Sequence, residues 1–150
     1  MTRIAFDTNI YVYALDRSDR RRHVVAIDLL TRAVAADCIL LQQNIAEFLA
    51  VNARKSLLPA DEALETVTEW MDSMLVAPTR PEDLLDAYRL ATAEKIQFWD
   101  ALIIVTARAA GAELLASEDM QDGRLISGLR IANPFLPTGR AAIDSALAPD

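Results

Sequence analysis

Short apolar runs alternate along the chain with longer stretches in which apolar residues recur every three or four positions, the pattern of strands interleaved with helices. Arg3-Ile4-Ala5-Phe6 reads as a buried strand ending at Asp7-Thr8-Asn9, residue types that favour turns and helix caps. A helix is expected from Tyr11 to Leu15, then a polar break over Asp16 to Asp19. Arg20 to Ala36 has the helical period, with Val24, Ile27, Leu30 and Val34 along one side. Cys38 to Leu41 is a second strand, and Gln43 to Lys55 a helix with Ile45, Phe48 and Leu49 on one face. Pro59 suits the first turn of a further helix carrying Leu64, Val67, Met71 and Met74, and the two helices are expected to form a hairpin.

Leu75-Val76-Ala77 supplies a third strand, and Thr79 with Glu82 has capping-box spacing for a helix running to Lys95. The next helix starts near Asp100 and stops at Gly111. Its segment Ala101 to Ala107 is apolar except for Thr106 and belongs deep in the domain. Glu113 to Ser117 is a fourth strand and Leu129 to Ala132 a short fifth before Pro134, while the alanine-rich tail, 138–150, reads as frayed. Together these elements predict an α/β fold: a mainly parallel sheet of four to five strands flanked by helices, in one domain over residues 1–137. Ligands of such sheets bind beyond the carboxyl ends of the strands.

Composition narrows the class. Hydrophobic residues make up 53% of the 150 and charged residues 25%, the balance of one soluble globular domain. No uncharged run exceeds nine residues, Cys38 to Ala46 and Ile131 to Gly139 being the longest. A spanning helix needs about 20 apolar residues. The chain reaches Asp7 after only Ile4-Ala5-Phe6, without the ~7–15-residue apolar segment of a secretory signal, so the cytoplasm is the expected compartment. One cysteine, Cys38, and one histidine, His23, leave no intramolecular disulfide and no Cys/His zinc site. His23 is also the single candidate base for a Ser-His or Cys-His pair, and it sits in the charged stretch Asp19-Arg20-Arg21-Arg22-His23.

The 15 basic and 22 acidic residues give a net charge of −7, which argues against binding nucleic acid through bulk electrostatics. What matters is therefore where individual carboxylates lie. Asp7 follows the first strand, expected to be central, and Asp119 follows Leu115-Ala116-Ser117; both fall at the carboxyl rim. Asp100 precedes the most apolar helix, and Glu47 lies on a flank of its own helix with Arg54 two turns on. Plainer roles stand beside these: helix caps for Asp7 and Asp100, a solvated surface position for Glu47. Converging carboxylates destabilise a fold unless a cation neutralises them, and oxygen-only ligand sets suit Mg²⁺ or Mn²⁺. Such ions support phosphodiester hydrolysis, a chemistry that needs neither histidine nor thiol.

Competing chemistries fit less well. The glycines stand at 111, 123, 128 and 139, so the turn after the first strand carries neither a dinucleotide fingerprint nor a P-loop. A phosphoaspartate enzyme or small-molecule phosphatase built on Asp7 would want a second acid two residues on, where Asn9 stands.

Four segments in order, Phe6-Asp7-Thr8-Asn9, Gln43-Asn44-Ile45-Ala46-Glu47-Phe48, Phe98-Trp99-Asp100-Ala101-Leu102-Ile103 and Leu115 to Gly123, resemble the PIN domain, in particular VapC-type toxins of bacterial toxin–antitoxin pairs. The resemblance runs from about residue 3 to Pro134 and implies a three-layer fold and an endoribonuclease using Mg²⁺ or Mn²⁺. By resemblance, Asp7, Glu47, Asp100 and Asp119 are the catalytic acids, with Asp7, Asp100 and Asp119 on the metal and Glu47 ligating or holding the attacking water. Thr8, Asn9 and Ser117 would orient water or a carboxylate from behind, and Asp122 lies close enough to share or replace the role of Asp119.

RNA also needs a grip on its backbone. Thirteen of the cations are arginine, whose fork suits phosphate, and Arg17, Arg20, Arg21 and Arg22 are the candidates, against the plainer reading of a solvated helix start. Tyr11 and Tyr13 could stack on bases or pack in the core. The resemblance further implies a homodimer and a small cognate antitoxin whose tail offers an arginine to the acidic site. Trp70, Met71 and Met74 could serve core or interface. The alternative function is a non-catalytic PIN-like module that binds RNA or a protein.

Overall fold

The computed structural model describes residues 2–36 and 38–149; Met1, Asp37 and Asp150, the first and last of which close the expected domain and tail spans, lie outside the described residues. Strands β1 (Ile4–Phe6), β2 (Ile39–Leu41), β3 (Leu75–Ala77), β4 (Leu114–Ala116), β5 (Leu125–Ile126) and β6 (Leu129–Ala132) form one sheet in the order β3-β2-β1-β4-β6-β5. All neighbours pair parallel except β5 with β6. The sheet therefore has one strand more than the sequence pattern predicts. That strand, β5, is two residues long and turns back on β6 through Ser127 and Gly128, both at positive φ, which is the two-residue loop that matches strand twist.

Strand side chains alternate between two cores. Ile4, Phe6, Leu40, Leu114 and Ala116 face a core shared with α1 (Thr8–Leu15), α2 (Arg20–Ala33), α3 (Gln42–Lys55) and α4 (Ala60–Ser73). Ala5, Ile39, Leu41 and Leu115 face the other way, onto Ile103, Ile104 and Ala107 of α6 (Phe98–Ala109), against which α5 (Pro81–Glu94) packs. These are the three layers of an α/β sandwich, and burial on both faces explains why the central strands are uninterrupted apolar triplets.

Several local expectations are corrected. On α2 the buried residues are Ala26, Leu29, Leu30 and Ala33, while Val24, Ile27 and Val34 are exposed. The small alanines let α2 approach α1 closely, leaving the larger aliphatics on the rim of a groove with Trp70 of α4. On α4, Ala63 and Val67 are buried whereas Leu64 and Met71 are exposed. The cap of α5 is made by Asp83, whose Oδ2 accepts the Arg80 N–H at 2.8 Å, one residue beyond the expected Thr79/Glu82 pair.

The tail is not frayed. Residues Pro137–Leu147 form α7, with Ile143 and Leu147 buried in the first core. Two ion pairs, Arg32 with Asp144 and Arg140 with Asp28, link α2 to α7, and Arg32–Asp28 and Arg140–Asp144 close the network within each helix. Helix α7 begins with such close approach to the preceding loop that a Cβ on Gly139 would lie 2.2 Å from the Asn133 carbonyl oxygen.

Candidate active site

Strand β1 is bonded to β2 on one side and β4 on the other, so the chain leaves it for one half of the sheet and returns to its other edge for the second. A crevice opens at such a switch point, beyond the carboxyl ends of the strands. Asp7 follows β1 there, its N–H bonded to the Ala116 carbonyl of β4 at 2.9 Å, and Ser117 and Asp119 follow β4. Asp100 enters from the first turn of α6, where the positive end of the helix favours a carboxylate. One carboxylate oxygen from each of Asp7, Asp100 and Asp119 lies within 4.8 Å of the other two.

The capping roles open to Asp7 and Asp100 do not account for them. Asp7 occupies the N-cap position of α1 but makes no capping hydrogen bond. Asp100 lies three residues inside α6, whose N-cap is Gln97. Asp7 is 6% exposed, and its Oδ2 accepts the Ser117 hydroxyl at 2.8 Å. Ser117 Oγ also accepts the Asp119 N–H at 3.2 Å, so one buried hydroxyl ties two of the acids together. Asn9 Nδ2 donates to Asp119 Oδ2 at 3.4 Å.

Glu47 stands outside the trio. Its Oε1 accepts the Thr8 hydroxyl at 3.0 Å, and it forms no ion pair with Arg54 among the described residues. Its charge still reaches Asp100. Asp122 is elsewhere: its Oδ1 accepts the Asn133 N–H at 2.8 Å and so holds the loop beneath α7. Asp119, not Asp122, is the acid the fold brings to the crevice.

The electrostatics are those of a site short of positive charge. Burial, foremost, pushes the Asp7 carboxyl well above the usual range; the Asp119 carboxylate beside it adds to this, as does Asp100, while the Ser117 hydroxyl pulls the other way. Asp100 is also raised, by burial first and then by Asp119 and Glu47. None of the three acids has an ion-pair partner among the described residues. A donor set made wholly of carboxylate oxygens, crowded and unneutralised, fits a hard divalent cation such as Mg²⁺ or Mn²⁺.

The arginine candidates divide. Arg21 donates to the Phe135 carbonyl at 2.7 Å, and Arg22 is held between Asp19 and Glu118, so both serve the fold. Arg17 and Arg20 are exposed and form no ion pair among the described residues. Tyr11 is fully buried against Phe6 and Trp70 and cannot stack on a base; Tyr13 is half-buried, with its hydroxyl on Glu118. Trp70 packs on Phe48 at 4.9 Å between centroids, a core role. His23 Nδ1 is bonded to the Tyr13 carbonyl, which ties its ring to α1.

The residue that sequence reasoning passed over is Asn44, 1% exposed. Its Nδ2 donates to the Phe6 carbonyl and to Thr8 Oγ1, and its Oδ1 accepts the Leu41 N–H. It thereby joins the ends of β1 and β2 and aims Thr8 at Glu47. The available signal was its place three residues after the end of β2, where a side chain reaches back to cap α3.

A family model described as the PIN domain matches residues 4–122. No curated protein sequence matches the chain. Among solved structures, the Mycobacterium tuberculosis toxin VapC20, described as cleaving the sarcin-ricin loop, is 15% identical over 79% of this chain and 92% of its own, with a TM-score of 0.63. VapBC2 from Rickettsia felis, bound to a DNA fragment from its promoter, is 18% identical over 89% and 98%, at 0.62. FitAB bound to a DNA fragment is 17% identical over 89% and 96%, at 0.63.

Proposed function

The chain belongs to the PIN-domain family, and from that premise we propose that it is a metal-dependent endoribonuclease, the toxin of a toxin–antitoxin pair. The observation that carries this reading is the convergence of Asp7, Asp100 and Asp119 at the switch point of the sheet. The shared fold with a toxin described as cleaving the sarcin-ricin loop supports it.

In this reading Asp7, Asp100 and Asp119 hold Mg²⁺ or Mn²⁺. A bound divalent ion would polarise the scissile phosphate and lower the pKa of water beside it. Glu47, aimed by Thr8, orients the attacking water and accepts its proton. The water oxygen bonds to phosphorus, the bond to the leaving ribose oxygen breaks, and that oxygen takes up a proton from solvent. Ser117 fixes Asp7, and Asn9 fixes Asp119. Arg17 and Arg20 contact the RNA backbone. The active form is a homodimer in the cytoplasm, and a small antitoxin silences it by placing an arginine among the acids.

The test is incubation of purified chain with total RNA and with a phosphomonoester, in Mg²⁺ and in EDTA. RNA fragments that require the metal, and that vanish in folded Asp7→Asn and Asp100→Asn variants, are expected. RNA binding without cleavage would favour the non-catalytic module, and phosphate release alone a phosphatase.

A further inference from the structure

Asp119 is exposed in the loop that follows the buried strand β4, and the hydrogen bonds around it are the long ones from Asn9 and to Ser117. The neighbouring residue is anchored far more firmly. The Glu118 side chain is 14% exposed; its Oε2 accepts Arg22 Nε at 2.9 Å and its Oε1 accepts the Tyr13 hydroxyl. Arg22 is fixed in turn by Asp19 at 2.8 Å, and its guanidinium lies over the Phe135 ring, 5.1 Å from the centroid. The Glu118 carboxylate thus joins the loop after β4 to α1 and the first turn of α2, and the loop before α7 packs on the same Arg22 and Tyr13 through Phe135.

We propose that Glu118 is a positioning residue: clamped by Arg22 and Tyr13, it fixes the loop that delivers Asp119 to the acidic site. The inference rests on the reading of those acids as an ion site. A rigid neighbour limits where the Asp119 backbone can go, so the carboxylate is presented to the ion without a large ordering cost at binding. Freeing Glu118 leaves Asp7 and Asp100 in place, because they depend on β1, Ser117 and α6. Loss of the clamp should therefore appear as weaker ion binding and not as loss of the fold. Within the clamp Arg22 donates through Nε to Glu118 and through Nη1 to Asp19.

The experiment is a Mn²⁺ titration of the full chain followed by electron paramagnetic resonance, with RNA cleavage measured separately at saturating Mn²⁺. Variants are Glu118→Gln, Arg22→Ala, Tyr13→Phe and the exchange Arg22→Glu/Glu118→Arg, each checked for parental circular dichroism. Partners behind metal ligands typically contribute 10–100-fold to affinity, so Glu118→Gln and Arg22→Ala should weaken Mn²⁺ binding by about tenfold or more. The milder Tyr13→Phe should lose less, the exchange should recover part of the loss, and KM for RNA at saturating Mn²⁺ should stay near the parent's. Folded Glu118→Gln that binds Mn²⁺ as the parent does overturns the proposal. So does an Arg22→Ala protein with unchanged Mn²⁺ affinity and a raised KM, which would make Arg22 a phosphate contact. A parent that binds Mn²⁺ but cuts no RNA, with variants that bind it weakly, upholds the clamp while removing the ribonuclease reading.

Discussion

Asp7→Asn separates the stability of the acidic site from its chemistry. Burial, with Asp119 and Asp100 nearby, raises the Asp7 carboxyl from 3.8 to about 8 in the folded, metal-free protein. The native state then holds this proton more tightly than the unfolded chain does. Stability is fully present below pH 3.8 and is lost as pH rises toward 8. At roughly 1.4 kcal/mol per pH unit, a displacement of about four units sets a ceiling of ~6 kcal/mol, part of which the neighbouring acids absorb by sharing the proton. Asparagine keeps the shape and can still accept the Ser117 hydroxyl, but carries no charge. In EDTA at pH 8.5 the variant should be more stable than the parent by about 2–3 kcal/mol, a rise of ~5–10 °C in Tm, and near pH 4 the two should converge. Mg²⁺ should raise the Tm of the parent and leave the variant almost unmoved. Thermal unfolding by circular dichroism across pH 4–8.5, in EDTA and in Mg²⁺, reads all of this. A variant no more stable than the parent at pH 8.5, or one stabilised equally by Mg²⁺, refutes the reasoning.

Asn44→Leu removes three hydrogen bonds and leaves buried groups unpaired; a loss of about 2–4 kcal/mol is expected in urea unfolding, with RNA cleavage reduced beyond what the unfolded fraction explains. Gly139→Ala forces a methyl against the Asn133 backbone and should destabilise by about 1–3 kcal/mol, measured by urea unfolding. Tyr11→Phe deletes a buried hydroxyl that has no partner among the described residues; it should stabilise by about 1 kcal/mol, measured by the urea midpoint. For RNA binding to the folded Asp100→Asn protein, contact through Arg17 and Arg20 alone predicts a shallow salt dependence, a log–log slope of about −1 to −2 on single strands; a slope near −5 would mean a broad basic face engages.

The acids were legible because their positions follow from the simplest signals. Ile4-Ala5-Phe6 and Leu114-Leu115-Ala116 are apolar triplets that only buried parallel strands explain, and a polar residue directly after such a strand is delivered to the carboxyl rim. Asp100 was legible through the apolar helix it introduces. Errors arose where residue size, not polarity, decides. Period alone puts Val24, Ile27 and Val34 on a buried face, but α2 turns its alanines inward because close helix contact gains more than burial of larger side chains at a distance. The helical tail was hidden for a related reason: its fit depends on Gly139 and on ion pairs with α2, distant in sequence. The cap that Asn44 makes on Leu41 is local, but its reach to Phe6 and Thr8, like the hold of Glu118 on Arg22, is a hydrogen bond between segments, which no local pattern encodes.

The net charge of −7 also reads differently once the ion pairs are placed. Arg22, Arg32, Lys55, Arg80, Arg89, Arg124 and Arg140 are tied to acids, and Arg3 and Arg21 donate to backbone carbonyls. In the basic stretch from Arg20 to Arg22, which looks like a phosphate-binding patch in the sequence, two of the three arginines are thus committed to holding α2 against the loops after β4 and before α7. Asp7, Asp100 and Asp119 have no ion-pair partner among the described residues, and neither do the five acids of α4, Asp61, Glu62, Glu65, Glu69 and Asp72. On the ribonuclease reading, an RNA backbone approaching the crevice meets repulsion until a divalent ion fills the site, because Asp7, Asp100 and Asp119 crowd there without an ion-pair partner among the described residues. The same ion then serves both attraction and reaction. On the same reading, an RNA shaped to bring a phosphate to the crevice recovers through the ion the energy lost to the carboxylates there, and one of another shape does not, which is a source of selectivity.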